Sequence, residues 1–133
     1  MASHPKQIIL EETIQKMCND LDIYLEDNFG SRYPLHPNRA KRGMTASGIY
    51  DGLFSTTAVF TLGYGSKNGR GYIITIEIRT LRKVDEADKN AIEESGIEFF
   101  KTLIPQYFPE RKLTVVKDNN VYKLIGDFSL GEV

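Results

Sequence analysis

Arg39, Lys41 and Arg42 put three positive charges within four positions, followed directly by Gly43 and preceded by Arg32. Clustered guanidinium and ammonium groups are the usual electrostatic footprint of phosphate binding. A second basic pair, Lys67 and Arg70, brackets Asn68-Gly69 inside the glycine-rich run Gly63-Tyr64-Gly65-Ser66-Lys67-Asn68-Gly69-Arg70-Gly71. Glycines expose backbone N–H groups that can cradle an anion. Known cradles have a different context. A dinucleotide fingerprint opens a helix, whereas this run leads into a strand-like segment. A P-loop needs Gly-Lys followed by Ser or Thr, which is absent. A kinase glycine-rich loop does lie between strands, but 133 residues cannot hold a kinase's other parts. The run reads as a glycine-lined hairpin with two basic residues at its tip. The expected phosphate-facing set is Arg39, Lys41, Arg42, Lys67 and Arg70, with Tyr64 as a surface on which a base stacks.

Other chemistry has less support. Thr45, Ser47, Tyr50 and Asp51 bring hydroxyls and a carboxylate into one segment, but no adjacent base or second carboxylate accompanies them. His4 stands near a chain end, and His36 stands alone between Leu35 and Pro37, so neither a metal site nor a histidine-based triad is expected. Pro34-Leu35-His36-Pro37 fits a short polyproline II turn that stiffens the loop. The single cysteine, Cys18, excludes an internal disulfide and a cysteine-based zinc site. It follows Ile14 by four residues and is expected to be a small core hydrophobe. The acidic runs Asp20–Asp27 and Glu93–Glu98 lack the EF-hand spacing and read as solvated helix faces. No catalytic set, metal site or cofactor site is expected.

Charge is distributed unevenly. Residues 30–83 hold nine of the seventeen basic residues and only two acids, Asp51 and Glu77. The near-neutral total therefore hides a basic middle third between acidic flanks. The 133 residues are read as a single domain, residues 1–133, with a core large enough to need no staples. No apolar run approaches the ~20 residues of a membrane span, and Ile8-Ile9-Leu10 is stopped by Glu11-Glu12 before it can form a signal-peptide core. No membrane partner and a cytoplasmic location are expected.

The elements that must carry these residues follow from periodicity. Leu10, Ile14, Met17, Leu21 and Tyr24 recur at spacings of three and four, which predicts a helix over about Lys6 to Asp27 that stops at Gly30. Residues 30–55 have no regular period and form a long basic loop. Asp85 is a good N-cap, and Ala91, Ile92, Phe99, Phe100, Leu103 and Ile104 predict a second helix that Pro105 ends. Gly96 interrupts it, which points to close packing there. Thr56–Ser66 and Gly71–Leu81 predict a hairpin about Asn68-Gly69, and Lys112–Lys117 with Val121–Phe128 a second about Asp118-Asn119-Asn120. The order is α-β-β-α-β-β, a circular permutation of the ferredoxin-like order. It implies an α+β fold with a four-stranded, mainly antiparallel sheet and both helices on one face.

With Asn68-Gly69 as the central turn residues, Tyr64 pairs with Ile73, Leu62 with Thr75 and Phe60 with Glu77. One face then reads Val59, Thr61, Gly63, Gly65, Tyr72, Ile74, Ile76 and Ile78 and should meet the helices. The outer face reads Phe60, Leu62, Tyr64, Ile73, Thr75, Glu77 and Arg79, too apolar to be left in water. Aromatics beside basic residues on a sheet suit single-stranded nucleic acid, although the strands lack the Gly-Phe-Gly-Phe type signature of RNA-recognition motifs. The expected function is a small non-catalytic binding module for an anionic partner, nucleic acid first. The alternative is a homodimerising interaction domain that uses the outer sheet face, with the basic loop meeting an acidic helix of its neighbour. A third reading is a small enzyme with a pocket around Tyr50 and Asp51.

Overall fold

The computed structural model describes residues 5–44, 51–63, 69–118 and 120–128. Helix α1 spans Pro5–Phe29 and helix α2 spans Glu86–Tyr107. Strands β1 (Phe54–Thr61), β2 (Gly71–Ile78), β3 (Leu113–Asp118) and β4 (Val121–Gly126) form one sheet in the order β1-β2-β4-β3. Every pairing is antiparallel. The α+β fold and its α-β-β-α-β-β order match the expectation from periodicity.

Helix α1 begins on proline, which suits the first helical position because that N–H has no partner in the helix. Its buried stripe is Leu10, Ile14, Met17, Cys18, Leu21, Asp22 and Leu25. Tyr24, expected in that stripe, instead stacks on Phe99 of α2 with centroids 4.2 Å apart, and its hydroxyl meets Ser95 Oγ at 2.8 Å. Helix α2 continues a turn beyond its expected end, with Pro105 inside it. Proline forfeits one hydrogen bond, but Leu103, Ile104 and Phe108 are all buried around it, and Phe108 N–H donates to Ile104 O at 2.7 Å. Burial of those side chains, each contributing roughly 1.5–3 kcal/mol, outweighs the local preference. At Gly96 a Cβ would come within 3.3 Å of Ile76, Leu21 and Leu25, so α2 packs there at glycine distance, as its sequence position suggests.

The helices share one face of the sheet, α1 against β1 and α2 against β3. Ile74, Ile76, Val115 and Leu124 are buried beneath them, while Ile78 and Leu113 are half-buried at the margin. The β3–β4 turn lies where it was expected. Asp118 pairs with Val121, and Asn120 takes the left-handed φ of 69°.

The first hairpin corrects the expected register. Phe60 pairs with Tyr72, Val59 with Ile73 and Phe54 with Ile78. The offset from the expected pairing is five residues, an odd number, so every β1 side chain changes face. Phe54, Thr56, Ala58 and Phe60 share the helix side with Tyr72, Ile74 and Ile76, and Val59 and Thr61 lie on the outer face. The reason lies in the connection. The ladder stops at Thr61 and Gly71, and Asn68 of the expected turn lies outside the described residues. Gly63 has φ 77°, and a Cβ on it would sit 1.9 Å from Gly69 O. Only glycine allows that approach, which closes the neck of a wider loop. Lys123, on the outer face, supports the neck by donating from Nζ to Gly69 O at 2.7 Å.

Candidate functional site

The α1–β1 connection is basic because its arginines have internal work. Arg42 Nη1 donates to Asp51 Oδ1 at 2.9 Å, and its Nη2 donates to Phe54 O at 2.6 Å and to Glu26 Oε1 at 3.4 Å. Asp51 Oδ2 accepts from the Gly43 amide at 3.0 Å, and Glu26 Oε1 accepts from the Leu53 amide at 2.9 Å. Arg39 reaches the carbonyls of Asp51 and Gly52 at 2.8 and 3.3 Å. Gly52, with φ 78°, lies flat against the Arg42 guanidinium: a Cβ there would stand 2.3 Å from Cζ. A parallel bridge between Ala40 and Asp51 completes the clasp, which ties the loop to α1 and to the start of β1.

Beneath it lies Asp22, fully buried, its carboxylate beside the Thr56 hydroxyl and amide but without a well-formed hydrogen bond to either oxygen. Burial pushes its pKa up to about 7, while Thr56 and the Arg42 and Arg39 charges pull it back. Thr56 Oγ1 is itself buried without a hydrogen bond. Cys18, one helical turn earlier, is buried, and burial and Asp22 push its thiol up to about 12. It is an inert core residue.

Of the expected phosphate-facing residues, Arg39, Lys41, Arg42 and Arg70 are described. Arg39 is half-buried and Arg42 is held in the clasp, while Lys41 and Arg70 are exposed. Lys67 and Tyr64 fall outside the described residues, as do Tyr50, Thr45 and Ser47. Asp51, the anchor of the enzyme reading, is 1% exposed and engaged by Arg42 and Gly43. Lys41 precedes β1, and Arg70 lies in the β1–β2 connection, just before β2. An eight-residue strand separates them, ~25 Å at ~3.3 Å per residue. A different set of cations gathers at the loop end: Arg32, Arg82 and Lys83 line a cleft of about 390 Å³ with Tyr33, Asp85 and Asp88. Asp85, at the N-cap of α2, makes no side-chain capping bond there.

The other surface of note is β1 itself, which among the described residues is a sheet edge bonded only to β2. Its first half is covered: Phe54, Ser55 and Thr56 are at most 1% exposed. Its second half is open. Val59 is 61% exposed and Phe60 42%, and Leu62, just past the strand, is 57%. On the outer face Ile73, Val116 and Ile125 are half-buried, Thr75 is exposed, and Glu77 pairs with Arg79 at 2.9 Å. Leu62 and Phe60 are therefore exposed at the margin rather than within an outer-face patch. Among the described residues no group of His, Cys, Asp and Glu could hold a metal ion, and no helix is long and apolar enough to cross a membrane.

The open half of β1 escapes sequence reading because it depends on the register. The clasp left a signal: Asp51 is one of only two acids in the basic third and has Gly52 beside it.

A protein of Borreliella burgdorferi, described as "Uncharacterized protein", is 49% identical over 118 residues, covering 89% of this chain and 92% of that one. No solved structure matches. A family described as "Uncharacterised protein" matches residues 5–126, nearly the whole of the fold, and the chain belongs to it.

Proposed function

We propose that this protein is a self-associating interaction domain whose contact surface is the open half of β1 and the outer sheet face beside it. The observation that carries this reading is the exposure of Val59, Phe60 and Leu62 along a sheet edge that, among the described residues, is bonded only to β2. An edge strand offers a row of N–H and C=O groups to any matching strand, and natural proteins block that with charge, proline or a bulge. β1 reads Phe-Ser-Thr-Thr-Ala-Val-Phe-Thr, with no charge and no proline. The test is sedimentation at micromolar concentration. The wild type should form a dimer, and Val59→Lys should weaken it at least tenfold without loss of fold. A monomer at all accessible concentrations would remove the reading.

A second reading, recognition of an anionic partner such as a nucleic acid, keeps one specific support: Arg32, Arg82 and Lys83 line one cleft, beside Asp85 and Asp88. Binding of short single strands should weaken with salt, with a log–log slope of roughly −0.7 per contacted phosphate. Replacing Arg82 and Lys83 by Ala should flatten that slope. Absence of binding at low salt would end it.

A further inference from the structure

Between α1 and α2 lies a groove of about 310 Å³ lined by Asp20, Ile23, Tyr24, Asp27, Asn28 and Phe99. Its wall is apolar and fixed in place. The Tyr24 and Phe99 rings stack at 4.2 Å, and the Tyr24 hydroxyl meets Ser95 Oγ at 2.8 Å. Ile23 is 51% exposed beside them, although isoleucine is among the residues most often buried. An apolar wall with a few placed polar groups is the usual make-up of a small-ligand site.

The placed groups here are two carboxylates. Asp20 and Asp27 are seven positions apart, so α1 carries them ~10.5 Å apart along its axis and within ~20° of one face. Ile23 and Tyr24 lie between them. The stripe therefore reads acid, apolar, acid. The Tyr107 hydroxyl donates to Asp20 Oδ2, which holds that carboxylate and leaves Oδ1 to accept. At the other end Asn28 commits Nδ2 to Tyr24 O at 2.7 Å, so its Oδ1 is an acceptor beside Asp27. Among the described residues neither Asp20 nor Asp27 has a cationic partner. Lys101, on α2, pairs with Glu98 at 3.3 Å instead.

We propose that this groove binds a linear polyamine, an aliphatic chain with an ammonium group at each end. One ammonium meets Asp20 and the other meets Asp27 and Asn28, while the methylenes cover Ile23 and the rings of Tyr24 and Phe99. Three features select this class. Two negative charges call for two positive ones, their separation calls for a spacer, and the wall between them requires that the spacer be apolar. An ammonium beside an aromatic ring also gains cation–π attraction. Carboxylates ~10 Å apart cannot share a metal ion, whose oxygen ligands stand only ~2–2.6 Å from it. The site goes beyond the self-association reading and shares no residue with β1.

An NMR titration of isotope-labelled protein tests this with three amines. Diaminooctane carries two charges on a long spacer, diaminobutane two on a short one, and octylamine one on the long chain. At low salt diaminooctane should give saturable shifts at Ile23, Tyr24 and Phe99. It should bind tighter than either control by about two- to fivefold, the worth of one exposed ion pair. Asp20→Asn and Asp27→Asn should each cost about that factor and leave diaminooctane no better than octylamine. Val59→Lys, on the sheet edge, should bind it as the wild type does, so self-association and amine binding stand or fall separately. Equal affinity for the three amines, or shifts at Glu12 and Glu94 instead of the groove, would overturn the site. So would a lysine-rich peptide that fills the groove while diaminooctane does not, which would give it to a protein partner.

Discussion

β1 and β3 are the two margins of one sheet, each bonded to a single neighbour, yet they are built differently. β3 is six residues long, follows Lys112 and ends in Lys117-Asp118. Lys117 Nζ lies 5.6 Å from the Tyr122 ring centroid, and Asp118 is paired with Lys123 at 3.5 Å. Charged, short edges of this kind repel an incoming strand. β1 is eight residues long and uncharged. Arg42 donates to Phe54 O at its start and Phe54–Thr56 are buried, whereas among the described residues no comparable arginine contact reaches Thr57–Thr61. The margins thus differ in kind: β3 carries charge, and among the described residues the end of β1 carries none.

The largest expected effect comes from breaking the clasp. Arg42→Met would leave the carboxylates of Asp51 and Glu26 near the interior without their partner. Removing one member of a buried ion pair costs about 3–5 kcal/mol. Urea unfolding should show a loss of that order. A loss below about 1 kcal/mol would mean that Arg42 is not what stabilises Asp51 and Glu26 there.

Next in size is the acid beneath the clasp. Asp22 holds its proton more tightly in the folded chain, with a pKa near 7, than at the ordinary value of 3.8. Below about pH 4 both states are protonated and nothing is lost. As pH rises toward 7 the unfolded state releases its proton first, so this group lowers stability across that window, and the loss is complete above it. Asp22→Asn removes the titration. The stability of the variant relative to wild type should therefore rise between pH 4 and pH 8, by roughly 2–4 kcal/mol at ~1.4 kcal/mol per pKa unit. A difference that is flat with pH would show that Asp22 is not held in a desolvated site.

The architecture was legible in the sequence where local signals agree with the packing. The stripe Leu10, Ile14, Met17 and Leu21, the Asp85 N-cap and the Asn-rich second turn each fixed an element. β2 was assigned to the correct face because Tyr72, Ile74 and Ile76 alternate cleanly. β1 was not, because Asn68-Gly69 is a strong turn signal and the neck formed by Gly63 and Gly69 has no local signature. An odd error in the pairing then exchanged Val59 for Phe60. The candidate site was less legible still. Arg39 and Arg42 look like solvent-facing cations until Asp51 and Glu26 are brought to them, and those contacts cross 9–16 residues of chain.

The smallest effects on folding distinguish the two margins most cleanly. Val59→Lys on β1 and Lys117→Val on β3 alter solvent-facing positions, so each should shift monomer stability by no more than ~0.5 kcal/mol. Their effects on association should be opposite. Val59→Lys should give a monomer, whereas Lys117→Val should open the second margin and allow assemblies larger than a dimer. Sedimentation of both at matched concentrations checks this, and equal behaviour would erase the contrast.

The most direct measurement of the central claim is amide hydrogen exchange across both edges as a function of protein concentration. If β1 is the contact, outward-facing amides within Thr57–Thr61 should gain protection as concentration rises through the dimer range, while those of Leu113–Asp118 stay constant. Concentration-independent exchange at Thr57–Thr61, or protection appearing at β3 instead, would contradict the account.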